Sequence, residues 1–173
     1  AIYFKATWMH EFDANDTSDE SFYLLGGGQK TVEMMDLGDS QQFSYADGDG
    51  WQAISLPYKG GLADMVIIMP EEGNFQAFEA ALDAAQYEGI LASMEPQKVL
   101  VKMPKFTFES RYGLSDALAG MGMRDAFDPG KADFSGMDGT RELFVSDVVH
   151  EGFVEVSEEG TEAAAATGVV VAT

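Results

Sequence analysis

The most informative stretch of the sequence is residues 158–173, which read Glu158-Glu159-Gly160-Thr161-Glu162-Ala163-Ala164-Ala165-Ala166-Thr167-Gly168-Val169-Val170-Val171-Ala172-Thr173. Small side chains predominate and no proline interrupts them, so nothing blocks entry between two strands or removes a ladder donor. In an extended strand the odd-numbered residues 161–171 share one uncharged face, and Glu162 lies on the other. The segment is therefore competent both as a loop and as an added central strand; a frayed terminus is the third interpretation.

The stretch that leads into this segment predicts a long strand. From Val145 onward one face carries apolar residues at alternate positions and no proline occurs. The members of that face are Val148, His150, Gly152, Val154 and Val156. Val149 and Phe153 lie among acids on the other face, a pattern that a central strand accepts.

The rest of the chain alternates short strands and turns with two modest helices, which predicts the α+β class. Residues 22–25 and 31–35, joined by a run of three glycines, indicate a hairpin, and residues 52–58 and 65–69 indicate another. Pro104 interrupts a long strand, so we expect a sheet edge or a change of sheet there. Asn74 and Ser115 are the predicted N-caps of the two helices, the first of which we expect to pack through Phe75, Phe78 and Leu82.

Composition excludes several partners. Ten Lys and Arg face 30 Asp and Glu, which gives a formal net charge of −20. Nucleic acids and anionic membranes attract clustered cations, so neither is an expected partner. The hydrophobic content of 46% indicates a folded core rather than an acidic disordered tail.

The sequence also lacks the usual signs of catalysis. There is no cysteine, and the two histidines, His10 and His150, form no metal-ligand pair. Ser135 lacks the glycine that precedes a nucleophile elbow. The sequence therefore gives no hydrolase signal, and we expect no cofactor and no metal.

Several separate motifs, taken together, resemble the serpin family over essentially the whole chain. In chain order they are Ala1-Ile2-Tyr3-Phe4-Lys5-Ala6-Thr7-Trp8, Leu56-Pro57-Tyr58-Lys59-Gly60, Met103-Pro104-Lys105-Phe106, Ala132-Asp133-Phe134-Ser135-Gly136-Met137, Ser146-Asp147-Val148-Val149-His150 and residues 153–167. The resemblance implies a serpin fold with three β-sheets, surrounding helices and an exposed or inserted reactive-centre loop. It identifies residues 1–173 as part of a single serpin domain of an acidic, prokaryotic-type member, running from a central-sheet strand to the reactive-centre loop. We expect the N-terminal half and the final C-terminal strands to lie outside this chain.

The resemblance further implies a suicide-substrate inhibitor of serine-type proteases. A protease acylates the loop, and residues of about 160–173 then insert into the metastable central sheet and trap the acyl-enzyme. By the family's pattern the hinge is Glu158, Glu159, Gly160, Thr161, Glu162, Ala163, Ala164, Ala165, Ala166 and Thr167. The protease-contacting residues are Val169, Val170, Val171, Ala172 and Thr173, with the scissile bond at or just after Thr173. Trp8, Lys105, His150 and Glu158 match the cluster where the sheet opens.

The implied partners are a target serine protease, or a cysteine protease, in a covalent complex, together with the remainder of the serpin polypeptide. By the same resemblance we expect an extracellular protein. The alternative is a non-inhibitory serpin-fold protein that binds a ligand or acts as a chaperone. A charged or bulky residue at Thr161, or a proline within residues 163–167, would favour that alternative, and the sequence has neither.

Overall fold

The structure is a computed structural model that describes residues 1–173. Its strands are β1 (Ile2–Thr7), β2 (Ser18–Tyr23), β3 (Gln29–Asp36), β4 (Gln41–Gly48), β5 (Trp51–Pro57), β6 (Asp64–Pro70), β7 (Glu95–Val99), β8 (Lys102–Pro104), β9 (Phe106–Gly113), β10 (Phe144–Val156) and β11 (Gly160–Ala172). The α-helices are α1 (Phe75–Ala81), α2 (Ala84–Ser93), α3 (Ser115–Gly120) and α4 (Ser135–Asp138). None of them is long and apolar enough to span a membrane.

The strands form three sheets, which confirms the α+β class. The first sheet has the order β1-β11-β10-β9, the second β2-β3-β8, and the third β6-β5-β4-β7. The chain divides into two compact units, one of residues 1–5, 107–155 and 162–173 and the other of residues 6–106 and 156–161. The first unit holds most of the first sheet, and the second unit holds the second and third sheets.

Both predicted hairpins are confirmed. β2 pairs antiparallel with β3, with Phe22 opposite Lys30, and β5 pairs antiparallel with β6. Gly27 and Gly28 reverse the chain between β2 and β3 with φ of 87° and 84°, a region that side chains with a Cβ rarely occupy. β2 begins at Ser18, earlier than its apolar residues indicate, because the ladder to β3 extends along polar positions.

Pro104 marks a change of sheet, as predicted. β7 pairs with β4 in the third sheet, β8 pairs with β3 in the second, and β9 is an edge of the first. The chain also breaks between β7 and β8, where the carbonyl of Val101 accepts from the N–H of Leu37 at 3.1 Å. The sequence carries no breaker at that point, and the prediction of one continuous strand up to Pro104 is wrong.

The helix predictions need correction. No residue of α1 is buried, and Phe75 and Leu82 are 43% and 40% exposed, so its apolar face does not pack as expected. Asn74 precedes α1 but makes no side-chain cap hydrogen bond. Ser115 is the first residue of α3 rather than its N-cap, because its hydroxyl bonds to β10: it accepts from the N–H of Val148 at 3.0 Å. The helix α2 was not predicted; its N-cap, Asp83, accepts from the N–H of Gln86 at 2.8 Å.

β10 is an interior strand of the first sheet, as the apolar alternation predicts. β11 lies on one side of it and β9 on the other. Val145, Val148 and Val156 are buried. In the second unit the core includes Met35, Phe43, Leu56, Ile90 and Met103.

Candidate functional site at the start of β11

Residues 160–172 form a strand with a neighbour on each side. β11 is hydrogen-bonded to β1 and to β10, so it occupies the interior of the first sheet. In the structure residues 160–172 are a central strand and not a loop. Because a strand in this position uses both of its edges, each backbone N–H and C=O of its interior faces a ladder partner.

A two-residue turn fixes the register of β11 against β10. The N–H of Ser157 donates to the carbonyl of Gly160 at 2.9 Å, and the N–H of Gly160 donates back at 3.3 Å. This reciprocal pair leaves Glu158 and Glu159 at the turn and makes the two strands antiparallel. Counting outward from Ser157 and Gly160 brings His150 opposite Thr167.

Gly160 lies against the backbone of β1. A Cβ added at this position would lie 2.0 Å from the carbonyl oxygen of Ala6 and 2.8 Å from the Cα of Thr7. Gly160 is buried, and its φ is not in the left-handed region. The glycine is therefore required by the close approach of two strands and not by an unusual backbone conformation.

Trp8 anchors the turn before β11. Its indole N–H donates to the backbone carbonyl of Ser157 at 2.9 Å. Its backbone N–H donates to the backbone carbonyl of Glu159, also at 2.9 Å. The ring is 1% exposed and stacks on Tyr58 with centroids 4.6 Å apart. The Tyr58 hydroxyl donates to Oγ1 of the buried Thr161 at 2.8 Å. One aromatic pair therefore holds both the turn and the second residue of β11.

Burial raises the pKa of the Tyr58 phenol, and the hydrogen bond to Thr161 opposes that shift. The phenol is 4% exposed, so the neutral form is favoured where an ionised one would lack water. Tyr58 therefore stays a hydrogen-bond donor to Thr161 throughout the neutral pH range.

Lys105 and Thr17 hold the Glu158 carboxylate. The ammonium of Lys105 lies 3.1 Å from Oε2, and the hydroxyl of Thr17 donates to Oε1 at 2.9 Å. The side chain of Glu158 is 13% exposed. Burial alone would raise its pKa, but its own backbone N–H, Lys105 and Thr17 outweigh that effect and lower the pKa. The carboxylate is therefore ionised and paired at neutral pH.

His150 lies on β10 and contacts β11 within the first unit. Its Nδ1 is 2.9 Å from Oγ1 of Thr167, which the hairpin register places directly opposite. Opposed side chains in such a pair lie close enough to interact. The structure thus links a predicted gate residue to the last residue of the predicted hinge.

The predicted protease-contacting residues lie at the far end of β11. Val169, Val170 and Val171 are 59%, 53% and 37% exposed. The Ser146 hydroxyl of β10 donates to the carbonyl of Val170 at 3.2 Å. Thr173 follows the strand. In this conformation the backbone of these residues is engaged by neighbouring strands and is not presented as a loop.

Sequence reasoning missed two residues of the site. Tyr58 was named only as part of the Leu56-Pro57-Tyr58 motif, yet it touches both Trp8 and Thr161. An aromatic residue directly after a strand is a usable signal, since a buried Tyr needs a hydroxyl partner. Thr17 gave no signal, because a lone threonine beside a 3-10 turn has no distinguishing pattern.

No group of three His, Asp or Glu side chains is arranged to hold a metal ion. A cavity behind Trp8 has a volume of about 10 Å³, room for a single water molecule. His10 lies at its wall, edge-on to Phe43 with ring centroids 5.5 Å apart. His10 is thus an aromatic packing residue of the second unit.

The family described as Serpin (serine protease inhibitor) matches residues 1–173, and this chain belongs to the serpin family. The chain is 44% identical over 171 residues to an uncharacterized serpin-like protein of Thermococcus kodakarensis, with 99% of this chain and 39% of that protein covered. It is 42% identical over 172 residues to the leukocyte elastase inhibitor of Xenopus laevis, covering 96% and 46%. The intracellular coagulation inhibitor 2 of Tachypleus tridentatus is 38% identical over 172 residues, covering 99% and 42%.

Solved structures agree on the fold. The reactive-loop-cleaved human thyroxine-binding globulin superposes with a TM-score of 0.83 at 27% identity, covering 98% of this chain and 50% of that one. The chain spans between 39% and 46% of the length of the curated relatives named above.

Proposed function

We propose that this serpin inhibits a serine-type protease as a suicide substrate and performs no turnover of its own. The observation that carries the proposal is the fit of β11 between β1 and β10, with glycine and small residues where the strands approach most closely. The catalytic serine attacks the carbonyl at the bond at or just after Thr173. The peptide bond breaks, an ester to the protease forms, and the amine side leaves with a proton.

Entry of residues of about 160–173 into the sheet competes with hydrolysis of that ester. The entering strand gains ladder hydrogen bonds on both edges, each worth about 1 kcal/mol net. On its uncharged face Thr161 is buried and Ala163 is half-buried, so this part of the strand enters without a desolvation cost for charge. Insertion before deacylation carries the protease along and leaves the acyl-enzyme trapped.

The target is a serine protease, with a cysteine protease as the other candidate, held in a covalent complex. The uncharged run Val169-Val170-Val171-Ala172-Thr173 suits a protease that prefers small or apolar neighbours. A net charge of −20 would also steer a basic protease toward the inhibitor, with an on-rate that falls as salt rises. The remainder of the serpin polypeptide completes the sheet that accepts the strand.

We also propose an extracellular location, which the family resemblance implies. One relative, from Tachypleus tridentatus, bears the name of an intracellular coagulation inhibitor. An intracellular location is the alternative that the name of this relative supports.

A ligand-binding serpin is the second candidate. The observation that favours it is the TM-score of 0.83 to a globulin named for binding thyroxine. The small hinge residues argue against it, since a protein that never inserts its loop has no need of glycine and alanine there. The two candidates differ in whether a covalent protease complex forms.

The test mixes the full-length protein with elastase-, subtilisin-, trypsin- and chymotrypsin-like proteases and looks for an SDS-resistant complex by denaturing gel and intact mass. A complex supports suicide inhibition, and its mass locates the scissile bond. Cleavage near Thr173 without any complex favours the ligand-binding candidate.

Two hinge variants probe the insertion step itself. Thr161→Arg buries a charge, and Ala165→Pro removes a ladder donor from the middle of β11, so both should turn the inhibitor into a substrate. Glu159→Arg is the matched control, because it adds the same cation at an exposed turn position. Unchanged inhibition by both hinge variants would defeat the insertion mechanism.

A further inference from the structure

Glu162 is the only charged residue of β11, and its carboxylate is engaged from β1. Lys5 Nζ donates to Oε2 at 2.8 Å, and the Tyr3 hydroxyl donates to Oε1 at 3.1 Å. Tyr3 and Lys5 are two residues apart on one strand, so their side chains share a face. Each oxygen of the carboxylate therefore has its own donor, and both donors come from the same neighbouring strand.

This contact is independent of the residues around Trp8. Thr161 and Glu162 are consecutive in the strand and point to opposite faces of the sheet. The side chains of Lys5 and Glu162 are 66% and 36% exposed, so the pair lies at the solvent side. The hydrogen bonds from Lys5 and then from Tyr3 lower the pKa of Glu162 more than burial raises it, which keeps the carboxylate ionised.

The contact also distinguishes between registers. A shift of β11 by one residue turns every side chain to the other face of the sheet. Glu162 would then move away from Tyr3 and Lys5, and no other residue in β11 could replace its charge. Because alanines occupy residues 163–166, packing alone specifies the register of this stretch weakly.

We propose that Glu162 is a positioning residue for β11, which Tyr3 and Lys5 hold in register against β1 as the strand enters the sheet. The proposal rests on the suicide-substrate function. It adds which side chains guide the first residues of β11 as the strand inserts. Glu162 is the third residue of the strand, so its contact forms before those of residues 163–172. Losing it slows early insertion and gives hydrolysis of the acyl-enzyme more time.

The measurement is the stoichiometry of inhibition, in moles of inhibitor used per mole of protease inhibited. Glu162→Gln and Lys5→Gln should each raise it about twofold at low salt, because an exposed ion pair contributes modestly. Salt should raise the wild-type value toward that of the variants, since screening weakens the same contact. The double variant Lys5→Glu with Glu162→Lys exchanges the two charges, and its stoichiometry of inhibition should return most of the way to the wild-type value.

Glu109→Gln is the control, because Glu109 lies on β9 outside the hinge, is exposed and makes no ion pair in the structure. An equal effect of Glu109→Gln would show a general charge effect and overturn the proposal. So would a normal stoichiometry for Glu162→Gln, or an exchanged pair that performs no better than the single variants.

A failure of the proposed function is recognised separately. If the wild type forms no covalent complex with any protease, hydrogen exchange at residues 160–166 replaces the stoichiometry. Faster exchange in Glu162→Gln than in Glu109→Gln then supports the positioning role on its own. Equal exchange in the two variants overturns it.

Discussion

Alanine at position 160 would place a Cβ atom 2.0 Å from the carbonyl oxygen of Ala6 and 2.8 Å from the Cα of Thr7. Ordinary contact begins at 3.4 Å, so the two strands would have to separate by about 1.4 Å. Both obstructing atoms belong to the backbone, so no side-chain rotation relieves the clash. On its other edge Gly160 is tied to Ser157 by two hydrogen bonds, which prevents the strand from simply moving away.

We therefore expect Gly160→Ala to lower the free energy of unfolding by about 3 kcal/mol, the upper end of the range for overpacked interiors. The assay is urea denaturation of the protein with residues 160–172 in the sheet. Under the proposed insertion mechanism the same variant should also raise the stoichiometry of inhibition, since the hinge would be the first part to enter.

Gly168→Ala is the matched control on the same strand. A Cβ at Gly168 would meet nothing within 4 Å, and its φ is ordinary. Its effect should stay within about 0.5 kcal/mol of wild type. The reasoning is refuted if Gly160→Ala unfolds at the wild-type urea concentration, or if the two glycine variants lose equal stability.

Three further outcomes follow from the contacts around β11 and from one helix cap. Tyr58→Phe keeps the stacking on Trp8 but removes the donor to Thr161, and urea denaturation should show a loss of about 1 kcal/mol; an unchanged midpoint would contradict this. The folded-state pKa of Glu158 lies below the ordinary 4.5, so its stabilising effect is complete above pH 4.5 and is lost as pH falls through the lowered pKa. Glu158→Gln should therefore make the free energy of unfolding fall less steeply as pH drops below 4.5. The same fall in the variant and the wild type would refute this prediction. Asp83→Ala removes the cap of α2 and should cost about 1 kcal/mol, with hydrogen exchange in α2 as the readout.

The sequence predicted the strands near the site well because their patterns are local. Alternation from Val145 onward gave β10, and the glycine run between residues 22 and 31 gave the β2–β3 hairpin. The helices were predicted poorly, because the burial of a helix face and the partner of a capping side chain depend on other parts of the chain and not on a local pattern. The apolar stripe of α1 is present, but whether Phe75 is covered depends on which surface lies opposite, and Ser115 satisfies β10 instead of its own helix.

In the candidate site, too, the sequence predicted some contacts and missed others. The family resemblance assigned Trp8, Lys105 and Glu158 to one cluster. In the structure the Lys105 ammonium lies 3.1 Å from a carboxylate oxygen of Glu158. Thr17 could not be found in this way, because it is 141 residues from the carboxylate to which it donates and matches no motif. Glu162 was named as part of the hinge, but its partners on β1 emerged only from the distances.

By itself the sequence determined the serpin family, the α+β class, the acidic charge and the competence of residues 160–172 to be either loop or strand. These properties reside in residue type and in spacing along the chain. Only the tertiary structure decided that β11 lies between β1 and β10, that Gly160 abuts Ala6, and that Tyr58 holds Thr161. A segment of small residues meets the requirements of both states, so its conformation depends on which strands offer it their unpaired edges.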